Sequence, residues 1–296
     1  MVRELSDFEV KALQYELLLK DILAAAEKLP PFPDVVWKVM SLIRKAATPH
    51  QIEEVIKYDQ AITARVLRMS QSVYYGRRRR VSTLQDAILH LGNNRLVQVV
   101  LAASASRYFQ GPITGYEGNE RNLWEHSVAS AVMSERVATR LKHRKGLTIF
   151  TAALLHDIGK TVLDLYAQIY FHTTLQQLTQ GGREFIEAER RAMGIDHQEL
   201  GEIIARRWRL PNEVVTAVGC HHCPEKAVTN RDIAAIVYAS DRMVNLMGNG
   251  NEETEPFDPE GDHVFKVLGI DNRAMGTLQS QVAEAMNEIR LFLVAE

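Results

Sequence analysis

Apolar residues recur at intervals of three and four along nearly every long stretch of the chain, and strand-like alternation is scarce. The pattern predicts an all-α protein. Val10, Leu13, Leu17, Leu18, Ile22 and Leu23 share one side of an amphipathic lead-in helix over residues 8–28. Leu29-Pro30-Pro31-Phe32-Pro33 ends it, because a proline run cannot continue a helix but can start the next. From Asp34 to about Phe109 the pattern gives short helices punctuated by Thr48-Pro49, Tyr75-Gly76 and Leu91-Gly92, and Gln110 to Gly118 reads as a connector. A second helical stretch follows to Met247, then the polar loop Gly248 to Pro256, then two closing helices between Val264 and Leu293. The expected organisation is therefore two-lobed: a lead-in helix (1–28), an N-terminal helical lobe (29–118), a second helical lobe (119–247), and a loop with closing helices (248–296).

The second lobe carries polar residues on faces that should be buried. His126 is in line with Ala129, Met133 and Val137, and Asp241 with Ala234, Val237 and Val244. The adjacent pair His156-Asp157 follows Ile149 and Ala152 on the inward face of a predicted helix, and Gly159 marks either that helix's end or a close backbone approach. On a helix the two side chains stand about 100° apart, near enough to reach one ion. Asp196-His197-Gln198-Glu199 has the form of a capping box, which puts His197 in a first helical turn. His221 and His222 close the helix that starts after Pro211, and Pro224 stops it. A carboxylate on an apolar face is costly unless something binds it, and a divalent metal is the usual partner. Five histidines and two aspartates exceed the four ligands of a closed structural zinc site, which points to one metal with open positions or two metals sharing Asp157. Iron, manganese, zinc and nickel all suit such donors.

Composition narrows the picture further. With 296 residues, 46% hydrophobic and 24% charged, the chain is ordinary for a globular protein, and its net charge of −2 gives no general reason to bind nucleic acid or an anionic membrane. Charges interrupt every apolar run well short of about 18 residues, and the acidic start lacks a signal peptide's apolar region, so no membrane contact and a cytoplasmic location are expected. The run Arg77-Arg78-Arg79-Arg80 beside Tyr74 and Tyr75 reads first as a solvated basic turn, with phosphate contact or a partner's acidic face as other uses. Cys220 and Cys223 flank the histidine pair, yet a zinc knuckle needs a second pair and no other cysteine exists. They read as small buried residues beside the histidines.

The order His126, His156-Asp157, Asp241 resembles the H…HD…D signature of the HD superfamily of metal-dependent phosphohydrolases. His197, His221 and His222, with the string His156-Asp157-Ile158-Gly159-Lys160, look like the longer ligand set of its HD-GYP branch, whose members hydrolyse cyclic di-GMP at a bimetal site. After His221-His222, however, the chain reads Cys223-Pro224-Glu225-Lys226, and the Gly-Tyr-Pro substrate loop is missing. Over residues 29–245 the better resemblance is to the HDOD family, HD-related output domains of bacterial signalling proteins. It rests on Leu29-Pro30-Pro31-Phe32-Pro33, the stretch Asp59 to Arg68, Ser72-Val73-Tyr74-Tyr75-Gly76, and Val81 to Ile88. That resemblance implies an all-helical, two-lobed signalling module with protein partners and a nucleotide or phosphorylated small molecule as possible ligand. Many members of the family have lost the metal ligands, whereas this chain keeps a full set. The implied function is a regulatory or ligand-binding module with a retained metal site, and the alternative is a phosphohydrolase or phosphodiesterase. For the alternative, the resemblance gives one metal to His126, His156, Asp157 and Asp241 and a second to His197, His221 and His222. Asp157 and Lys160 are then the catalytic candidates, with Lys160 reaching a substrate phosphate; its other reading is a solvated lysine near a helix end.

Overall fold

A computed structural model of the chain describes residues 7–71, 81–109, 123–170, 183–248 and 257–293, and no β-strand occurs among them. The helices are α1 (Asp7–Lys28), α2 (Asp34–Arg44), α3 (Pro49–Ile56), α4 (Gln60–Ser70), α5 (Leu84–Ala105), α6 (Leu123–Arg140), α7 (Gly146–Leu155), α8 (Lys160–Tyr170), α9 (Arg183–Met193), α10 (His197–Arg207), α11 (Asn212–Cys220), α12 (Arg231–Gly248), α13 (His263–Leu268) and α14 (Asn272–Leu293). No helix among the described residues is long and apolar enough to cross a membrane. The chain divides into two compact units, interleaved in sequence. The first comprises Met1–Pro31, Gly111–Leu123 and Leu155–Ala234; the second comprises Phe32–Gln110, Trp124–Leu154 and Ala235–Glu296.

In the second unit, local chemistry starts the early helices. The Thr48 hydroxyl accepts from the Gln51 backbone N–H at 3.3 Å while the Gln51 side chain accepts from the Thr48 N–H at 2.9 Å, a reciprocal cap reinforced by Pro49. Thr83 and Asp86 repeat the device for α5. Inside α5, Gly92 adopts φ +70°, so the helix kinks where the sequence placed a break. Val36, Val39, Ile52, Ile56, Ile62, Val66, Leu96 and Val100 are buried and join α2, α3, α4 and α5. Arg290 of α14 is ion-paired with Glu125 of α6, and Arg140 of α6 donates to the Gly269 carbonyl at 3.4 Å, so α6 and α14 run antiparallel.

The first unit positions the histidines. Its lead-in helix α1 packs on α8, α9 and α10 of the same unit through Ile22 and Ala26. Burial of an isoleucine side chain contributes about 1.5–3 kcal/mol. Arg207 donates to the Ala26 carbonyl at 2.8 Å and to the Leu29 carbonyl at 3.3 Å, satisfying acceptors that the end of α1 leaves open. Two members of the expected apolar stripe, Leu13 and Leu17, are exposed, while the Tyr15 hydroxyl donates to the Arg191 carbonyl at 2.6 Å.

Two glycines set the spacing in this unit. A Cβ on Gly159 would stand 2.1 Å from the His197 carbonyl oxygen, and one on Gly201 would stand 2.9 Å from a Val218 methyl. The turn between α7 and α8 therefore lies directly on the start of α10, and α10 lies close against α11. Gly159→Ala is expected to destabilise the protein by about 1–3 kcal/mol through overpacking against backbone. Gly276→Ala in α14, where a Cβ meets nothing within 4 Å, should instead stabilise by about 0.5–1 kcal/mol. Urea melts of both variants test the pair; equal effects would refute the close approach at Gly159.

Candidate metal centre

The turn and helix ends of the first unit bring five of the sequence-selected residues together. His156, Asp157, His197 and His221 are fully buried and His222 nearly so. The expected helical placement of His156 and Asp157 is corrected, because α7 ends at Leu155 and the pair stands in a tight turn. There the Ile158 N–H donates to the Leu155 carbonyl at 3.0 Å and the Lys160 N–H to the Asp157 carbonyl at 2.9 Å. The turn sets His156 Nε2 3.4 Å from Asp157 Oδ2, while Asp157 Oδ1 faces His197 Nε2 at 3.6 Å and His221 Nε2 at 3.7 Å. His197 opens α10 as expected, with Asp196 as its cap accepting from the Glu199 N–H at 2.8 Å. His221 is the C-terminal cap of α11, and His222 follows it with its N–H donating to the Gln198 side chain at 2.8 Å.

The hydrogen bonds on the far side of two rings decide what the near side presents. His197 Nδ1 lies 2.6 Å from a Glu189 carboxylate oxygen, which can only accept, so Nδ1 carries the proton. His221 Nδ1 lies 2.8 Å from the Val218 carbonyl, and the same reasoning protonates it there. In the neutral rings both Nε2 atoms then carry lone pairs, and they face each other across 3.2 Å, with His222 Nε2 3.1 Å from that of His197. A proton is a poor solution: burial, followed by the neighbouring His222, His156 and His197, holds the His221 imidazole well below the usual histidine range. A metal ion fits. Two nitrogens bound at about 2.0–2.1 Å to one ion stand about 2.8–3.0 Å apart in octahedral and about 3.3–3.4 Å apart in tetrahedral geometry, and the spacings of these rings fall between. Ligating histidines also characteristically donate their other N–H to a carboxylate or carbonyl.

Asp157 completes the donor set with the required charge. Burial alone would raise its carboxyl pKa, but His156 and Lys160 offset that and hold it well below the usual carboxylate range. Lys160 Nζ is 2.9 Å from Asp157 Oδ2 and 6.0 Å from the Phe185 ring centroid, so it is an ion-paired lysine rather than a solvated one. In the second unit His126 Nε2 lies 3.0 Å from Asp241 Oδ1, with Asn245 donating to the same oxygen at 2.9 Å.

Two supporting residues escaped the sequence reading. Glu189 is completely buried and also accepts from the His197 backbone N–H at 3.0 Å; Gln198 orients His222. The signal for Glu189 was present: it shares the inward stripe of α9 with Ile186 and Met193. Cys220 and Cys223 are free thiols; Cys223 is buried as expected, whereas Cys220 is half-buried, and burial, with Glu202 next, pushes the Cys220 thiol up, which makes it a weak nucleophile. Tyr74, Tyr75 and Arg77 to Arg80 lie outside the described residues.

Replacing Glu189 by Gln keeps the shape but weakens the acceptor for His197 Nδ1–H. A loss of metal affinity of about 10–100-fold is expected. Competition with a chromophoric chelator measures it; unchanged affinity would remove Glu189 from the centre.

Comparison with known proteins identifies the fold and the family. A crystal structure of an HDOD domain protein of unknown function from Geobacter sulfurreducens matches with a TM-score of 0.72 and 23% identity, covering 95% of this chain and 97% of its own. A candidate phosphohydrolase from Shewanella amazonensis SB2B matches with a TM-score of 0.66 and 20% identity over 89% of this chain and 93% of its own. A candidate signal transduction protein from Marinobacter aquaeolei VT8 matches at 0.71 and 17% identity over 93% of this chain and 65% of its own. These likenesses establish the fold. An uncharacterized protein of Treponema pallidum (strain Nichols) is 22% identical over 212 residues, 67% of this chain, which spans 39% of that protein's length. The HDOD domain family itself matches residues 29–224, about two thirds of the sequence, and the chain belongs to that family.

Proposed function

We propose that this chain is a signal-transduction module built around a resident divalent transition metal, which serves regulation or ligand binding. The observation that carries this reading is the opposition of the His197 and His221 Nε2 atoms at 3.2 Å with both protons fixed on the far side. His156, Asp157, His197, His221 and His222 would hold the ion. The order H…HD…D supports assigning His126 and Asp241 to the same ligand set. Complete burial of the donors and the engagement of Lys160 with Asp157 favour a resident ion over an exposed catalytic one. Protein partners in signalling, and a nucleotide or phosphorylated small molecule as the ligand, belong to the same proposal.

Hydrolysis is the second reading, and the number of donors favours it. Seven candidate ligands exceed the four of a closed structural site. A metal in such a site supplies an acidified water and polarises a phosphoryl oxygen. In that reading Asp157 acts as a ligand and, through its ion pair, positions Lys160, whose ammonium neutralises phosphate charge. The candidate signal transduction protein and the candidate phosphohydrolase among the structural relatives carry the same two readings in their descriptions.

Protein purified without added metal is expected to contain about one or two equivalents of iron, manganese, zinc or nickel by elemental analysis. His197→Ala and His221→Ala should each remove metal; a metal-free wild type would sink the proposal. His126→Ala should lower the stoichiometry or the affinity, and unchanged metal in that variant would exclude the second unit's pair from the centre. Chelation should lower the melting temperature, since an ion present at about 100 times its Kd stabilises by about 2.7 kcal/mol. Bis(p-nitrophenyl) phosphate separates the two readings: turnover lost in Asp157→Asn supports hydrolysis, and metal binding without turnover supports the regulatory module.

A further inference from the structure

Cys220 and Cys223 bracket His221 and His222 and take no part in the donor set described above. The backbone folds these four residues into one tight turn at the end of α11. The Cys223 N–H donates to the Cys220 carbonyl at 3.0 Å, and His221 stands at φ −67°, ψ −20°, close to the first central position of a type I β-turn. Such a turn keeps the Cα atoms of its end residues within about 7 Å of each other. A disulfide spans about 4.4–6.8 Å between Cα atoms, so this closed turn sets the two cysteines at a separation that a disulfide can bridge. The spacing Cys-X-X-Cys is also that of thiol–disulfide exchange pairs.

Two further observations favour a bond between them. The turn is restrained before any cross-link forms, because the His221 ring is held at the Val218 carbonyl and the His222 N–H at the Gln198 side chain. That restraint removes part of the entropy cost of closing a ring. Solvent reaches the half-buried Cys220, whereas Cys223 is buried, so an incoming reagent meets Cys220 first and Cys223 is left to resolve it. A scarce Cys220 thiolate slows the exchange but does not set its end point, which depends on how well the closed disulfide fits the turn.

We propose that Cys220 and Cys223 form a reversible disulfide across the histidine pair, made by exchange with a small-molecule disulfide such as glutathione disulfide. The Cys220 thiolate attacks one sulfur of the reagent, forming a mixed disulfide and expelling a glutathione thiolate that takes up the proton Cys220 lost. The Cys223 thiolate then attacks Cys220 Sγ; the Cys220–Cys223 bond forms, the bond to glutathione breaks, and the second glutathione leaves and is protonated. Two protein thiols are oxidised and one disulfide is reduced. The product closes a covalent ring around the backbone of His221 and His222, which, where the metal reading holds, ties the ion's release to the thiol–disulfide state.

The full-length protein is incubated with excess glutathione disulfide without air, alkylated with iodoacetamide and weighed intact. The wild type should lose both thiols and retain no glutathione, Cys223→Ser should retain one glutathione, and Cys220→Ser should stay unmodified. The Cys223 amide should exchange hydrogen roughly tenfold or more slowly in the oxidised protein, because the cross-link holds the turn closed. The proposal is overturned if the wild type keeps both thiols, stops with glutathione attached, or forms a disulfide-linked dimer. Loss of both thiols with unchanged exchange at Cys223 overturns it equally. Protein loaded with metal should release it to a chelator more slowly when oxidised. Equal release from both forms severs the link to the centre, whereas a metal-free wild type refutes the metal reading and leaves the disulfide standing.

Discussion

The opposed Nε2 lone pairs of His197 and His221 are the constraint on which the first unit depends. Each ring is held from behind by an acceptor, Glu189 or the Val218 carbonyl, so neither can rotate its lone pair away without breaking a buried hydrogen bond. Both rings are also brought to this spacing by backbone packing. Gly159 lets the turn after α7 rest on the His197 carbonyl, and Gly201 lets α11 approach α10. On the proposed reading a cation would resolve this electrostatic conflict, and its occupancy would be coupled to the stability of the surrounding helices.

In the proposed module that coupling would give a physical basis for signalling without turnover. The buried acids Asp157 and Glu189 and the rings between them form a hydrogen-bonded network whose members have no alternative solvent partners. Gain or loss of an ion changes the balance of that network, and its outer connections run through α9, α10 and the lead-in helix α1. Arg207, which closes the end of α1, lies in the last turn of the helix that His197 begins. In the proposed module a change at the ion would act through α10 on a segment whose first half exposes Leu13 and Leu17.

Local pattern was enough for the helical class, the helix starts and most of the residues gathered at the candidate centre. Periodicity of three and four is local, and so are the caps of Thr48, Thr83 and Asp196; each acts within a few residues of where it is written. The donors were legible because polar residues on apolar stripes, such as Asp241 between Val237 and Val244, contradict their surroundings. Tertiary structure alone decided the rest. The turn that sets His156 and Asp157 side by side rather than around a helix exists because Gly159 meets a backbone oxygen many residues away. Glu189 became a partner of His197 only when α9 packed beside α10, and proton placement on each ring follows from that contact and its counterpart at Val218. Spacing along a helix fixes which face a side chain occupies; what that face meets depends on distances between segments, which no local pattern encodes.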